Sequence, residues 1–94
     1  MINWKELFEG RNVFHCESEE LANKLLNIAH DLGYKWRNKN LFTECNAWEN
    51  YKENTCYNIK SGGFCEKKYY QQNDYNIINA KELLTGRKTF KLNR

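Results

Sequence analysis

The stretch from residue 18 to residue 32 constrains this chain more than any other. Ser18 can cap a helix, Glu19 and Glu20 fill its first turn, and apolar residues recur at Leu21, Leu25, Ile28 and Leu32, with Ala22, Leu26 and Ala29 beside them. Spacings of three and four place these residues on one stripe of a helix, and Gly33 stands where a left-handed residue would close it. A helix with one apolar stripe must bury that stripe against another layer. In 94 residues there is too little apolar side chain for two cores, so the second layer belongs to the same domain.

The flanking segments supply that layer. Asn3 and Glu6 have the spacing of a helix cap, which predicts a short helix over 3–9. Strand-like runs follow at 11–16, at 34–37 with Tyr34 and Trp36 alternating against Lys35 and Arg37, at 55–59, from Phe64-Cys65 onward, and at 75–79. Asn38, Lys39 and Asn40 signal a turn, and Ser61-Gly62-Gly63 a tight reversal. Helical turns are expected within 66–74 and at 80–84, the latter ended by Gly86. Residues 41–54 fit either a short helix with Ala47, Trp48 and Tyr51 on one side or an aromatic-anchored loop. The expected fold is a single small α+β domain over 1–94. One main amphipathic helix packs on a mainly antiparallel sheet of about four to five strands, with short flanking helices and a basic C-terminal tail over 87–94.

Charge narrows the classes of partner. The net charge is +3, but Arg87, Lys88, Lys91 and Arg94 hold four of the positive charges, and residues 1–85 carry 11 basic against 12 acidic side chains. Duplex nucleic acid is normally gripped by a basic face that neutralises several phosphates at once, so only the tail is a candidate for nucleic-acid or acidic-partner contact. No run of about 18 apolar residues is present. Lys5, Glu6 and Glu9 also interrupt the first residues where a secretory signal would be apolar. These features predict a soluble, cytoplasmic protein without membrane contact.

Cys16, Cys45, Cys56 and Cys65, with His15 and His30, raise zinc and thiol chemistry. The cysteine intervals lack the two-to-four-residue knuckle that brings thiolates to one ion, and His15 and Cys16, adjacent on a strand, point to opposite faces. Neither metal nor cofactor is expected. Cys56 and Cys65 remain a cross-strand pair across the 61–63 reversal, which leaves a cysteine-based zinc or redox protein as a second alternative. A nucleophilic Cys16 or Cys56 would need His30 as its base, yet His30 lies near a helix end, where the helix dipole already favours imidazolium. Glu17, Glu19 and Glu20 sit where helix amides stabilise anions. Gly62-Gly63 lacks the Lys and helix of a phosphate loop. No enzyme is expected.

Trp36, Trp48 and the six Tyr all lie between residues 34 and 75 and carry the most information about function. Rings with a polar edge serve either the core of a small domain or the anchor points of an interface. Adjacent Tyr69 and Tyr70 cannot both point inward, so at least one ring of the pair should reach the surface. The binding candidates are Trp36, Arg37, Trp48, Tyr51, Tyr57, Lys67, Lys68, Tyr69 and Tyr70.

Phe14-His15-Cys16, then Leu32-Gly33-Tyr34-Lys35-Trp36, Tyr51 through Asn54-Thr55-Cys56-Tyr57, Tyr69-Tyr70 and Tyr75-Asn76-Ile77-Ile78 give a layout that resembles small α+β accessory proteins encoded by phages and mobile elements of low-GC Firmicutes. The resemblance spans most of residues 11 to 84 and implies a setting in the host cytoplasm. The expectation it adds is a non-enzymatic binding protein that inhibits a host defence system by holding one of its proteins, in the manner of an anti-CRISPR. The alternative is a sponge that sequesters a nucleotide immune signal between Trp or Tyr and Arg or Lys. A homodimer fits either expectation.

Overall fold

The structure is a computed structural model that describes residues 2–85. Its elements are α1 (Trp4–Glu9), β1 (Asn12–Cys16), α2 (Glu19–Asp31), α3 (Trp48–Tyr51), a 3-10 turn (Lys52–Asn54), β2 (Thr55–Asn58), β3 (Gly63–Glu66), α4 (Lys67–Gln72), β4 (Asn76–Asn79) and α5 (Ala80–Thr85). The expected α+β architecture is present. The tail residues Arg87, Lys88, Lys91 and Arg94, and the helix-ending Gly86, lie outside the described residues.

The caps follow the sequence. Asn3 Oδ1 accepts from the Glu6 amide at 3.1 Å and Ser18 Oγ from the Leu21 amide at 3.3 Å, so each helix begins where a side chain takes up an otherwise orphaned N–H. Gly33, at φ +95°, follows α2. The four strands run in the order β3-β2-β1-β4. β1 pairs antiparallel with β2, β2 antiparallel with β3, and β1 parallel with β4.

Register sorts the side chains into two faces. Ile78, Phe14, Tyr57 and Phe64 are successive partners across all four strands and share one face, where they join Phe8, Leu25, Leu26, Trp36 and Phe42 in the main core under α2. Asn79, His15, Cys56 and Cys65 form the neighbouring row, which points the other way. On that second face Val13, Cys56 and Tyr70 make a smaller cluster with Cys65, Tyr75 and Ile77 against α4.

Residues 34–37 do not become a strand of the sheet, which has four strands among the described residues. Their only ladder contact is an isolated bridge from Lys35 to Leu41. The loop closes on itself, the Trp36 amide donating to the Asn40 carbonyl and that of Lys39, at φ +77°, to the Trp36 carbonyl. The alternation survives without the pairing, since Trp36 is buried while Lys35 and Arg37 are exposed. The Arg37 amide donates to the Gly62 carbonyl at 3.0 Å, and a Cβ on Gly62 would lie 2.5 Å from the Arg37 nitrogen and the Lys35 oxygen. Only glycine permits that approach, and Gly62 also holds φ +72°. Residues 41–54 combine the two expected forms: a loop through Ala47, then the single turn α3.

Candidate aromatic and basic surface along the outer strand

Among the described residues β3 is an edge strand, hydrogen-bonded to β2 on one side only. Stretches distant in sequence meet along its other side. The Gly62 contact carries Arg37 to the start of β3, where its guanidinium nitrogen would stand 3.1 Å from a Cβ placed on Gly63. Phe64 is flanked by Trp36, with ring centroids 5.7 Å apart, and by Tyr51 at 6.1 Å. Beyond β3, α4 brings Tyr69 edge-on to Tyr70, centroids 5.2 Å apart.

Two adjoining clefts share Arg37, Gly62 and Phe64. One, of about 290 Å³, adds Trp36, Asn38, Asn40, Cys45 and Ala47; the other, of about 390 Å³, adds Gly63, Cys65, Tyr69 and Tyr70. A larger cleft, of about 530 Å³, lies elsewhere, between α2 and residues 42–46. Asn23, Asn27, Thr43, Glu44 and Asn46 line it, without an exposed ring. Leu26 and Phe42 also border it but are buried, so it offers no exposed ring as an anchor, and the smaller clefts beside β3 are the stronger candidate.

The nine candidate residues divide by burial. Tyr57 is fully buried, its hydroxyl donating to the Asn46 carbonyl, so it is a core residue and leaves the candidate set. Trp36 is 9% exposed, with its indole N–H donating to the Cys45 carbonyl at 2.8 Å, and Tyr70 is 5% exposed; both form walls rather than contact points. Trp48 is half-buried against the main core. Tyr51 at 37% and Tyr69 at 49% are the rings left outward. Tyr69 and Tyr70 thus divide as their adjacency requires, one outward and one inward. Arg37 and Lys68 are exposed and Lys67 half-exposed. Among the described residues the ion pairs are Lys24–Glu20, Lys52–Glu49 and Lys60–Glu9, so none neutralises Arg37, Lys67 or Lys68. Glu66 is the one acid on β3.

Phe64 and Cys65 belong to the site but are not among the sequence candidates. Their signal is the reversal at Gly62-Gly63, which sends the next two side chains to opposite faces of an edge strand. A second exposed apolar patch, Ile2 and Leu32 beside Trp4 and Ile28, also escapes the sequence, because Leu32 has the spacing of the buried stripe.

Burial disfavours the thiolate form of two of the cysteines. Burial pushes the Cys16 thiol far above its ordinary value, with the neighbouring Cys56 adding to the effect. Burial pushes Cys56 up to about 12, against a lowering contribution from Lys67. His15 Nε2 lies 2.8 Å from the Glu53 carbonyl, which only accepts, so that nitrogen carries the proton. Proximity to Cys65 pushes the Tyr51 phenol above its usual range. Among the described residues no three His, Cys, Asp or Glu side chains converge as a metal ion would require, and no helix is long and apolar enough to cross a membrane. No family model, curated protein or solved structure matches the chain.

Proposed function

We propose that this is a binding protein without catalytic chemistry, which holds a partner protein along the outer edge of β3. The observation that carries the reading is the convergence of Arg37, Tyr51, Phe64 and Tyr69 on one edge strand, with Tyr51 and Tyr69 left outward and, among the described residues, no ion pair on Arg37. Aromatic and arginine side chains at a concave site are the residue types that dominate binding energy at protein interfaces.

The same features define the partner's chemistry. An edge strand presents backbone N–H and C=O groups to an extended segment, the unpaired charges of Arg37, Lys67 and Lys68 favour acidic side chains on it, and the two clefts take apolar ones. The partner segment is therefore extended, acidic and punctuated by aromatic or aliphatic residues. The layout resemblance to mobile-element proteins points to a component of a host defence system, inhibited by being held. A nucleotide sponge would use the Trp36–Arg37–Phe64 cleft, but its roughly 290 Å³ lies at the small end of ligand pockets and the cleft is open to solvent.

Peptide display tests the reading with an unbiased set of ligands. Random peptides selected on the wild-type chain, and counter-selected on Arg37→Glu and Tyr69→Ala, are expected to converge on acidic, extended sequences that lose binding to both variants. Peptides retained equally by both variants would contradict the site. Native mass spectrometry of the purified protein gives the subunit count in the same preparation, and a nucleotide retained there and lost from Arg37→Glu would favour the sponge.

A further inference from the structure

We propose that Cys56 and Cys65 are a reversible dithiol–disulfide pair, entered through Cys65 and oxidised by a small disulfide of the glutathione class. The two residues are direct partners in the antiparallel ladder of β2 and β3. Directly opposed residues stand with their Cα atoms about 4.5–5.5 Å apart and their side chains on the same face, within the roughly 4.4–6.8 Å that a disulfide spans. Both thiols border the ring of Tyr70 in the second-face cluster. The other cysteines cannot substitute. Cys16 is buried on the opposite face, paired with Thr55, and Cys45 is exposed on the loop before α3.

Exposure orders the steps. Cys65 lines an open cleft while Cys56 is fully buried, so an external disulfide meets Cys65 first. The Cys65 thiol loses its proton to solvent and its sulfur attacks one sulfur of oxidised glutathione. That breaks the glutathione disulfide, releases one glutathione thiolate, which takes up a proton, and leaves a mixed disulfide on Cys65. Cys56 then loses its proton and attacks the Cys65 sulfur, and the second glutathione leaves as a thiolate and is protonated. In sum two protein thiols are oxidised to one disulfide and one oxidised glutathione is reduced to two thiols. Burial of Cys56 slows the second step, and Lys67 offsets part of that penalty. Opposed Cβ atoms lie about 4.5–5.5 Å apart whereas a disulfide holds them near 3.8 Å, so closure draws the strands together, and a bond formed against that resistance is readily reduced again. Any effect on partner binding rests on the function proposed above, through Cys65 and Tyr69 in the shared cleft; the thiol chemistry itself does not.

The test exposes the full chain to oxidised glutathione, quenches with acid, alkylates and maps the peptides by mass spectrometry. Exposed Cys45 serves as an internal clock. The wild-type chain is expected to yield a Cys56–Cys65 linked peptide that reduced glutathione reverses. Cys56→Ala should arrest at a glutathione adduct on Cys65, at least about tenfold more abundant than in wild type, and Cys65→Ser should leave Cys56 unmodified. If Cys56→Ala does not fold, the wild-type time course decides alone. No Cys56–Cys65 link by the time Cys45 is fully modified overturns the proposal, as does a persistent adduct on wild-type Cys65 or a link from Cys65 to Cys45.

Discussion

The two faces of the sheet are built to different standards. The face under α2 is filled edge to edge: Phe8, Phe14, Phe42 and Tyr57 are all fully buried, and the helix that covers it is the longest in the structure. The opposite face is covered by the short helix α4, and its cluster holds only three buried residues, Val13, Cys56 and Tyr70. One face carries the stability of a small domain. The other leaves the Cys65 thiol, an imidazole and a tyrosine within reach of solvent, beside an edge strand whose outer side is open. Aromatic content alone therefore does not locate a site; the face on which each ring falls does.

The sharpest way to break this comparison is to truncate one apolar side chain on each face. Phe14→Ala should cost about 3–5 kcal/mol in urea unfolding, since a fully buried phenyl is lost and the surrounding core cannot close. Ile77→Ala, half-buried on the second face, should cost about 1 kcal/mol. Equal losses would mean that the second face bears as much of the fold as the first.

Gly62→Ala should cost about 2 kcal/mol or more, because its Cβ would meet the backbone of Lys35 and Arg37 and the backbone already holds a positive φ. Loss of Trp36 fluorescence shielding should accompany it, as the loop that seats the indole moves away. Tyr69→Ala should leave stability within about 0.5 kcal/mol of wild type while weakening a selected peptide by about 2 kcal/mol, close to thirtyfold. Thr55→Val should stabilise the chain by about 1 kcal/mol, since among the described residues the buried Thr55 hydroxyl has no hydrogen-bond partner and valine keeps its shape.

A further effect is one of pH. Cys56 titrates at 9.0 in the unfolded reference and is pushed up to about 12 by burial in the fold, so between those values the native state holds more protons than the unfolded state. Stability is therefore complete below about pH 9 and declines as pH rises toward 12. Cys56→Ala should flatten that decline in chemical denaturation series, and an unchanged slope would assign it to Cys16 and the buried tyrosines.

Much of the strong face was legible in the sequence, because its period is unambiguous. The stripe of α2, the Ser18 and Asn3 caps, the 61–63 reversal and the strands at Asn12–Cys16 and Asn76–Asn79 all follow from spacing and turn chemistry. Residues 34–37 show where spacing fails. Alternation set Trp36 and Arg37 on opposite faces, but whether a segment joins a ladder depends on what reaches its backbone, and here Asn40 and Gly62 do. The candidate surface was legible only in part for the same reason. Tyr51, Tyr69, Arg37 and the lysines could be named from composition, whereas Tyr57 could not be recognised as core without the register that sets it between Phe14 and Phe64.

The most direct test is an amide chemical-shift titration of the labelled wild-type chain with a peptide selected by display. Perturbations are expected to centre on Arg37, Tyr51, Phe64 and Tyr69, and to weaken with salt because Arg37, Lys67 and Lys68 meet acidic side chains. Perturbations confined to Ile2, Trp4, Ile28 and Leu32, and indifferent to salt, would place the binding surface on the other apolar patch and contradict the account.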